Sequence, residues 1–246
     1  MSRLTRRIAL TAATCLTAVT ALVGTATAAD ASAANPQWSN TWQACTTVLD
    51  GVWTSVDKNQ RSVSIVHGTG GSYARVSFWV RTTAPCGFTN KFLNPAGRVG
   101  WNGITNGATR QQGSGTTPSG TYSMTQAFGL SGADTAMPYH RVAAGDFWVE
   151  DTTSPYYNEP RNQRDGGFRW WLKDDSERLT DYPVQYATAV VINFNRAPDS
   201  KVVGRGAGIF LHVNGRGATA GCLSVTAYQM RTVLAYMKPG DKITIQ

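Results

Sequence analysis

Turn-forming residues divide this chain of 246 residues into short segments, and this division most constrains its fold: there are 25 glycines and 10 prolines. Residues 62–66 (SVSIV) and 73–81 (YARVSFWVR) alternate apolar and polar side chains, which predicts the half-buried strands of a hairpin. Residues 208–213 (GIFLHV) form a short apolar run typical of a central strand. Residues 226–237 have helical spacing, with Thr226 as a candidate N-cap. We therefore predict a mainly β fold, sandwich-like or barrel-like, with one helix in the C-terminal region.

Residues 1–28 have the pattern of a secretory signal peptide. Arginines at the start precede an apolar run over residues 8–23, and Ala26-Thr27-Ala28 offers the small side chains of a cleavage site. The run is too short and too rich in Ala and Thr for a membrane span, and no later run reaches about 18 apolar residues. We therefore expect a secreted, extracellular protein with no membrane span.

The net charge and the absence of certain motifs limit the classes of binding partner and cofactor that we expect. The formal net charge is +8, and it falls to +5 without the three arginines of the predicted signal peptide (8 − 3). A mildly basic exported protein is attracted to anionic surfaces such as bacterial wall polymers, so we expect association with the cell wall. Lysine is sparse and unclustered, which argues against nucleic acid. The sequence has no zinc spacing, phosphate loop or dinucleotide fingerprint, so we expect neither a metal nor a cofactor. We also expect a monomer.

Three cysteines remain outside the predicted signal peptide. Cys45 and Cys86 both lie in the β-rich segment 29–99, and export permits disulfides, so we predict that they pair. Cys222 is then a free thiol, which in an exported protein points to a possible function.

The stretch 208–225 (GIFLHVNGRGATAGCLSV) places His212 and Cys222 on either side of a glycine-rich loop that can fold back on itself. An imidazole can take the proton of a thiol, which then attacks as a nucleophile. Gly221 permits a close backbone approach to a substrate, and its N–H is a candidate oxyanion donor. The dipole of the helix near Thr226 would lower the thiol pKa if Cys222 lies close to the N-terminus of that helix. The alternative is an inert buried cysteine near an ordinary hydrogen-bonded histidine.

A second motif lies upstream, at residues 116–122 (TTPSGTY). In this order, the two motifs resemble those of L,D-transpeptidase (YkuD-type) catalytic domains. These domains carry a T-P-x-G-x-[FY] turn and, later, a histidine on a strand followed by [ST]-H-G-C and a hydrophobic residue. Residues 219–223 (TAGCL) match the second element at four of five positions. The resemblance covers residues 100–246 and implies a catalytic domain there.

The resemblance also implies the chemistry. Cys222 would attack a peptidoglycan stem peptide, expel the terminal D-Ala and form a thioester. His212 would act as the base, oriented by the backbone carbonyl of Val213, and an amine of a second stem or water would resolve the thioester. The chain departs from the family pattern at Ala220, where the family has a histidine, and at Ser224, where it has Asn or Arg. Two alternatives remain open: an L,D-carboxypeptidase or endopeptidase that uses the same pair, and a catalytically inactive cell-wall binding module.

Further residues are candidates for substrate binding. Arginines that flank the His–Cys loop can hold carboxylates. The predicted substrate-binding residues are Arg205, Arg216, Thr219, Ser224 and Tyr139. The alternative is that the two arginines are ordinary solvated charges and that Tyr139 belongs to a surface turn.

Two other groups are expected to be structural. In residues 154–180 the apolar side chains recur with neither a helical nor a strand period, which predicts a long loop. Its acidic run, Asp174, Asp175 and Glu177, is expected to be a solvated face. Trp148, Trp170 and Trp171 are expected to pack in the core or in a lid rather than form a sugar platform.

Overall fold

The computed structural model describes residues 42–172 and 175–246, so the predicted signal peptide lies outside the described residues. In this part the chain is mainly β with one α-helix, which confirms the predicted fold class. The strands are β1 (Cys45–Leu49), β2 (Val52–Val56), β3 (Ser62–Gly70), β4 (Tyr73–Arg81), β5 (Phe88–Phe92), β6 (Ala96–Arg98), β7 (Ile104–Asn106), β8 (Thr117–Gly129), β9 (Tyr139–Arg141), β10 (Asp146–Val149), β11 (Pro160–Asn162), β12 (Ser176–Arg178), β13 (Ala189–Ile192), β14 (Phe210–Val213), β15 (Leu223–Val225) and β16 (Asp241–Ile245). The helix is α1 (Ala227–Tyr236), and short 3-10 turns cover Gln163–Asp165, Leu179–Asp181 and Gln185–Ala187.

Among the described residues, eleven strands form one large sheet that closes on itself. The order along the sheet is β13, β14, β15, β6, β4, β3, β16 and β8, and β8 also pairs with β13. The predicted hairpin is confirmed, since β3 and β4 pair antiparallel from Ser62 and Val80 to Gly70 and Tyr73. Closure gives the sheet one enclosed side, where the alternating apolar residues are buried.

The N-terminal strands belong to this same sheet. Strands β3 to β6 lie between β15 and β16, while β1 and β2 form a separate hairpin. The predicted disulfide between Cys45 and Cys86 is present. The Asp241 carboxylate at the start of β16 accepts hydrogen bonds from the Arg61 N–H at 2.7 Å and the Ser62 hydroxyl at 2.6 Å. These bonds attach the last strand to β3.

The segment predicted as a long loop contains two short strands. β11 and β12 pair on either side of β10 and form a three-stranded sheet. Each of the two has three residues, too few for an alternating pattern to be recognised in the sequence. In the pairing, Trp148 lies opposite Glu177, so these two side chains share one face of the small sheet.

An aromatic cluster joins the small sheet to the large one. Phe210 packs edge-to-face on Trp148, with ring centroids 4.8 Å apart, and on Phe128, with centroids 4.9 Å apart. Tyr186 and Cys222 belong to the same buried cluster. Burial of each large side chain contributes about 2 kcal/mol, so the packing fixes the small sheet over the strand that carries His212.

The helix follows the predicted pattern. Thr226 is the N-cap and forms a capping box with Gln229, and the buried face carries Met230, Val233 and Leu234. None of the helices in the described ranges is long and apolar enough to cross a membrane.

Candidate active site

The parallel pairing of β14 with β15 brings the His–Cys pair to one surface. Leu211 lies opposite Leu223, so Cys222, one residue earlier, lies beside Phe210. Because alternate residues of a strand share a face, His212 points to the same side as Phe210. Both His212 and Cys222 line a cavity of about 920 Å³. The glycine-rich loop between the two strands therefore folds back and places Cys222 beside β14, as the sequence predicts.

His212 is held in one tautomer. Its Nδ1 lies 2.8 Å from the carbonyl oxygen of Val213, and a carbonyl can only accept, so Nδ1 carries the proton. Burial lowers the pKa of His212 from its ordinary 6.5 to about 4, so the ring is neutral at pH 7. Nε2 is then an unprotonated acceptor, as a general base requires.

The Cys222 thiol is buried, with 8% of the residue exposed. The thiol donates to the Gly208 carbonyl at 3.2 Å, and its sulfur accepts from the Phe210 N–H at 3.4 Å. Burial raises the pKa of the thiol well above its usual range, and the charges of Glu177 and Glu150 raise it further. The thiol is therefore neutral in this state.

The condition for a lowered thiol pKa, that Cys222 lies close to the N-terminus of the helix, is not met in this structure. The three residues of β15 and the N-cap Thr226 separate Cys222 from α1, whose first residue is Ala227. The effect of a helix dipole is confined to the first turn, so desolvation of the thiol dominates.

Thr117 links the two sequence motifs. Its hydroxyl donates to the Gly221 carbonyl at 2.8 Å and accepts from the Gly100 N–H at 2.9 Å, and the side chain is fully buried. The upstream motif therefore holds the backbone that carries the nucleophile candidate.

Gly221 has a φ of +152°, which residues with a side chain rarely adopt. A Cβ there would lie 2.8 Å from Nη2 of Arg110 and 3.0 Å from the Thr116 carbonyl oxygen. Its N–H, a predicted oxyanion donor, is directed at Thr219 Oγ1 at 3.2 Å. This N–H becomes available to a substrate only when that hydrogen bond opens.

Two glutamates that the sequence did not indicate as site residues line the cavity. Glu177 accepts from the Tyr186 hydroxyl at 2.7 Å, and Glu150 lies in the same cavity. Burial raises the pKa of both carboxyls, and the Glu177 charge adds to the rise at Glu150. The expected solvated face is therefore wrong for Glu177. Acidic residues in polar segments are usually solvated, so the sequence held no signal for this placement.

The cavity also contains a buried arginine, Arg110, which lies in a segment without secondary structure. Its glycine-rich surroundings in the sequence predict only a loop. No local pattern connects it to Cys222, which lies more than a hundred residues later in the chain.

Aromatic side chains border the cavity. Trp101, Trp170 and Trp171 line it and are 54%, 37% and 64% exposed. Trp148, in contrast, is 1% exposed and belongs to the core. The expectation of core packing therefore holds for Trp148, whereas Trp170 and Trp171 lie at the border of the cavity.

The predicted substrate-binding residues divide into two groups. Thr219 and Arg216 line the cavity. Arg205, Ser224 and Tyr139 lie outside its lining: Ser224 is fully buried, and the Tyr139 hydroxyl donates to the Ser131 carbonyl at 2.5 Å. Substrate binding by these three stays a prediction without support from their position.

Within the described ranges, no group of three or more His, Cys, Asp or Glu side chains is placed to hold a metal ion.

Residues 90–245 match the family of L,D-transpeptidase catalytic domains, YkuD, and the chain belongs to that family. Among solved structures it is similar to Bd1075 of Bdellovibrio bacteriovorus, with 16% identity, a TM-score of 0.40, and coverage of 76% of this chain and 48% of that one. It is also similar to an L,D-transpeptidase (Yku) from Stackebrandtia nassauensis, with 13% identity, a TM-score of 0.32, and coverage of 76% and 56%. A third similar structure is an L,D-transpeptidase from Mycobacterium smegmatis, with 12% identity, a TM-score of 0.31, and coverage of 82% of this chain and 65% of that one.

The chain thus spans about half to two thirds of the length of these proteins. No curated protein matches it. The family assignment rests on the match to residues 90–245.

Proposed function

We propose that the chain is a secreted cysteine acyltransferase that acts on peptidoglycan stem peptides, with Cys222 as nucleophile and His212 as base. The family match to residues 90–245 supports this class of reaction. The observation that carries the proposal is the placement of a free thiol and a neutral imidazole, with its Nε2 unprotonated, in one cavity.

The charge states favour general-base catalysis over a preformed ion pair. The thiol pKa is raised and the imidazole pKa is lowered, so a resting thiolate–imidazolium pair is disfavoured. The Cys222 proton must first leave the Gly208 carbonyl, and it then passes to Nε2 of His212 as the sulfur attacks.

The reaction balances in two steps. The sulfur forms a bond to the carbonyl carbon of the stem peptide, and the electron pair of the C=O π bond moves to the oxygen. When the carbonyl re-forms, the C–N bond breaks, and the leaving D-amino acid takes the proton from His212. An amine of a second stem, or water, then attacks the thioester and returns the proton to the Cys222 sulfur.

Export is part of the proposal. The signal-peptide pattern of residues 1–28 and the Cys45–Cys86 disulfide both support an oxidising compartment outside the cytoplasm. The exposed tryptophans at the border of the cavity offer contact area for a large wall polymer.

The test is acylation by a carbapenem such as meropenem, whose strained lactam carbonyl acylates a nucleophilic thiol. Intact-mass spectrometry of the purified protein should show one adduct with the mass of the intact drug. Cys222→Ala should show none, and His212→Gln should acylate far more slowly. An unmodified wild type, with a thiol equally inert to small alkylating reagents, would refute the proposal in favour of a non-catalytic wall-binding module.

A tetrapeptide stem then separates transfer from hydrolysis. Transfer releases D-Ala and produces a cross-linked peptide dimer, whereas an L,D-carboxypeptidase releases D-Ala and leaves a tripeptide. Cys222→Ala should produce neither product.

A further inference from the structure

Arg110 is a buried cation held by neutral groups. It is 6% exposed, and its Nε donates to the Thr116 carbonyl at 2.7 Å. Its Nη1 donates to the Arg205 carbonyl at 3.1 Å. The guanidinium carbon lies 5.7 Å from the centre of the Phe194 ring. These contacts hold the guanidinium in place but do not neutralise its charge.

No carboxylate of the described residues lies within 4.0 Å of the Arg110 guanidinium, whereas the Arg169 guanidinium has two such partners, Asp151 and Asp175. Burial of a charge without an ion pair is costly, and it lowers the pKa of Arg110, although the charge of Glu150, beyond ion-pair distance, partly offsets this effect. A buried, unpaired cation in a cavity therefore indicates an anion that arises or binds there.

The fold makes room for Arg110 next to Cys222. A Cβ on Gly206 would collide with Nη1, and a Cβ on Gly221 would lie 2.8 Å from Nη2. Nη2 has no hydrogen-bond acceptor among the described residues, whereas Nε and Nη1 both have one. Gly221 directly precedes Cys222, so the unpaired side of the guanidinium faces the backbone that carries the thiol.

The charged residues around the thiol have opposite effects on its pKa. Glu177 and Glu150 raise the pKa of Cys222, and Arg110 lowers it. Arg110 is thus a cation of this cavity that favours an ionised sulfur.

We propose that Arg110 stabilises the negative charge that forms at Cys222, first on the sulfur and then on the oxygen of the tetrahedral intermediate. This inference rests on the proposed function. Arg110 keeps its protons throughout: the Cys222 proton goes to His212, and the charge moves from sulfur to oxygen as the S–C bond forms. The contribution of Arg110 is electrostatic: it acts on the charge at the sulfur and then at the oxygen, and it neither donates a proton nor forms a covalent bond.

The test is the pH dependence of Cys222 alkylation by iodoacetamide, a neutral reagent that needs no peptide-binding site. Arg110→Gln removes the charge and retains an amide donor, Arg110→Lys retains the charge, and Arg231→Gln removes an exposed charge on α1 as a control. Arg110→Gln should shift the profile to higher pH by about one unit or more, a roughly tenfold lower rate at pH 8. Arg110→Lys should stay within about threefold of wild type, and Arg231→Gln should be unchanged.

A profile of folded Arg110→Gln that superimposes on that of wild type would overturn the inference. If Arg110→Gln does not fold, a second measurement on the wild-type protein alone tests the proposal. At pH 6, where the raised pKa values keep Glu150 and Glu177 largely protonated, the rate ratio of iodoacetate to iodoacetamide should exceed that of the urea-unfolded chain about threefold. An equal or lower ratio would also overturn it.

The two proposals fail separately. If the protein lacks carbapenem and peptide activity while Arg110 still shifts the alkylation profile, the proposed function is wrong. If acylation proceeds and Arg110→Gln leaves the alkylation profile unchanged, only the role of Arg110 is wrong.

Discussion

Thr117 offers the sharpest test of how the fold supports the candidate site. Thr117→Val replaces the hydroxyl by a methyl group of similar size, so the core packing is retained. The Gly100 N–H and the Gly221 carbonyl then lose their partner in a fully buried position. Each of the two buried groups left unpaired costs about 1–3 kcal/mol, so the free energy of unfolding should fall by roughly 2–6 kcal/mol.

Urea unfolding followed by circular dichroism measures this loss, and thermal unfolding should show a Tm lower by roughly 4–24 °C. Thr117→Ser is the matched control: it keeps the hydroxyl and loses one methyl group, at a cost of about 1 kcal/mol. Because the lost bond also holds the backbone next to Cys222, Thr117→Val should alkylate with altered kinetics at temperatures where it remains folded. A Thr117→Val protein within 0.5 kcal/mol of Thr117→Ser, a difference typical of neutral substitutions, would refute this account of the motif.

Three further outcomes follow from the charges and the cross-link. The lowered pKa of His212, from 6.5 to about 4, means that the unfolded chain binds its proton first, so stability is lost as pH falls from 6.5 towards 4. Relative to His212→Gln, wild type should lose roughly 3 kcal/mol between pH 7 and pH 4 in urea unfolding, and parallel pH profiles would contradict a buried neutral imidazole. Glu177→Gln removes the charge that most raises the Cys222 pKa after burial, so alkylation at pH 9 should accelerate several-fold, whereas Glu159→Gln on the surface should not change it. Replacement of both Cys45 and Cys86 by alanine opens a cross-link between residues 41 positions apart, and unfolding should become easier by about 4 kcal/mol on the chain-entropy account. Equal stability of reduced and oxidised wild type would argue against that contribution.

The strands of the main hairpin and the helix could be predicted because their patterns are local. The alternation in residues 73–81 matches β4, and Thr226 with Gln229 forms a capping box that needs only four consecutive residues. The three-residue strands β11 and β12 could not be predicted, because they are stabilised by pairing with β10 rather than by their own sequence.

The sequence by itself indicated the candidate site residues: one histidine and one unpaired cysteine around a glycine-rich loop, with an upstream threonine motif. Tertiary structure alone decided their environment. Arg110, Glu150 and Glu177 reach the Cys222 cavity from separate segments, and burial there raises the thiol pKa. A pKa depends on desolvation and on charges close in space, and neither quantity is encoded in the spacing of residues along the chain.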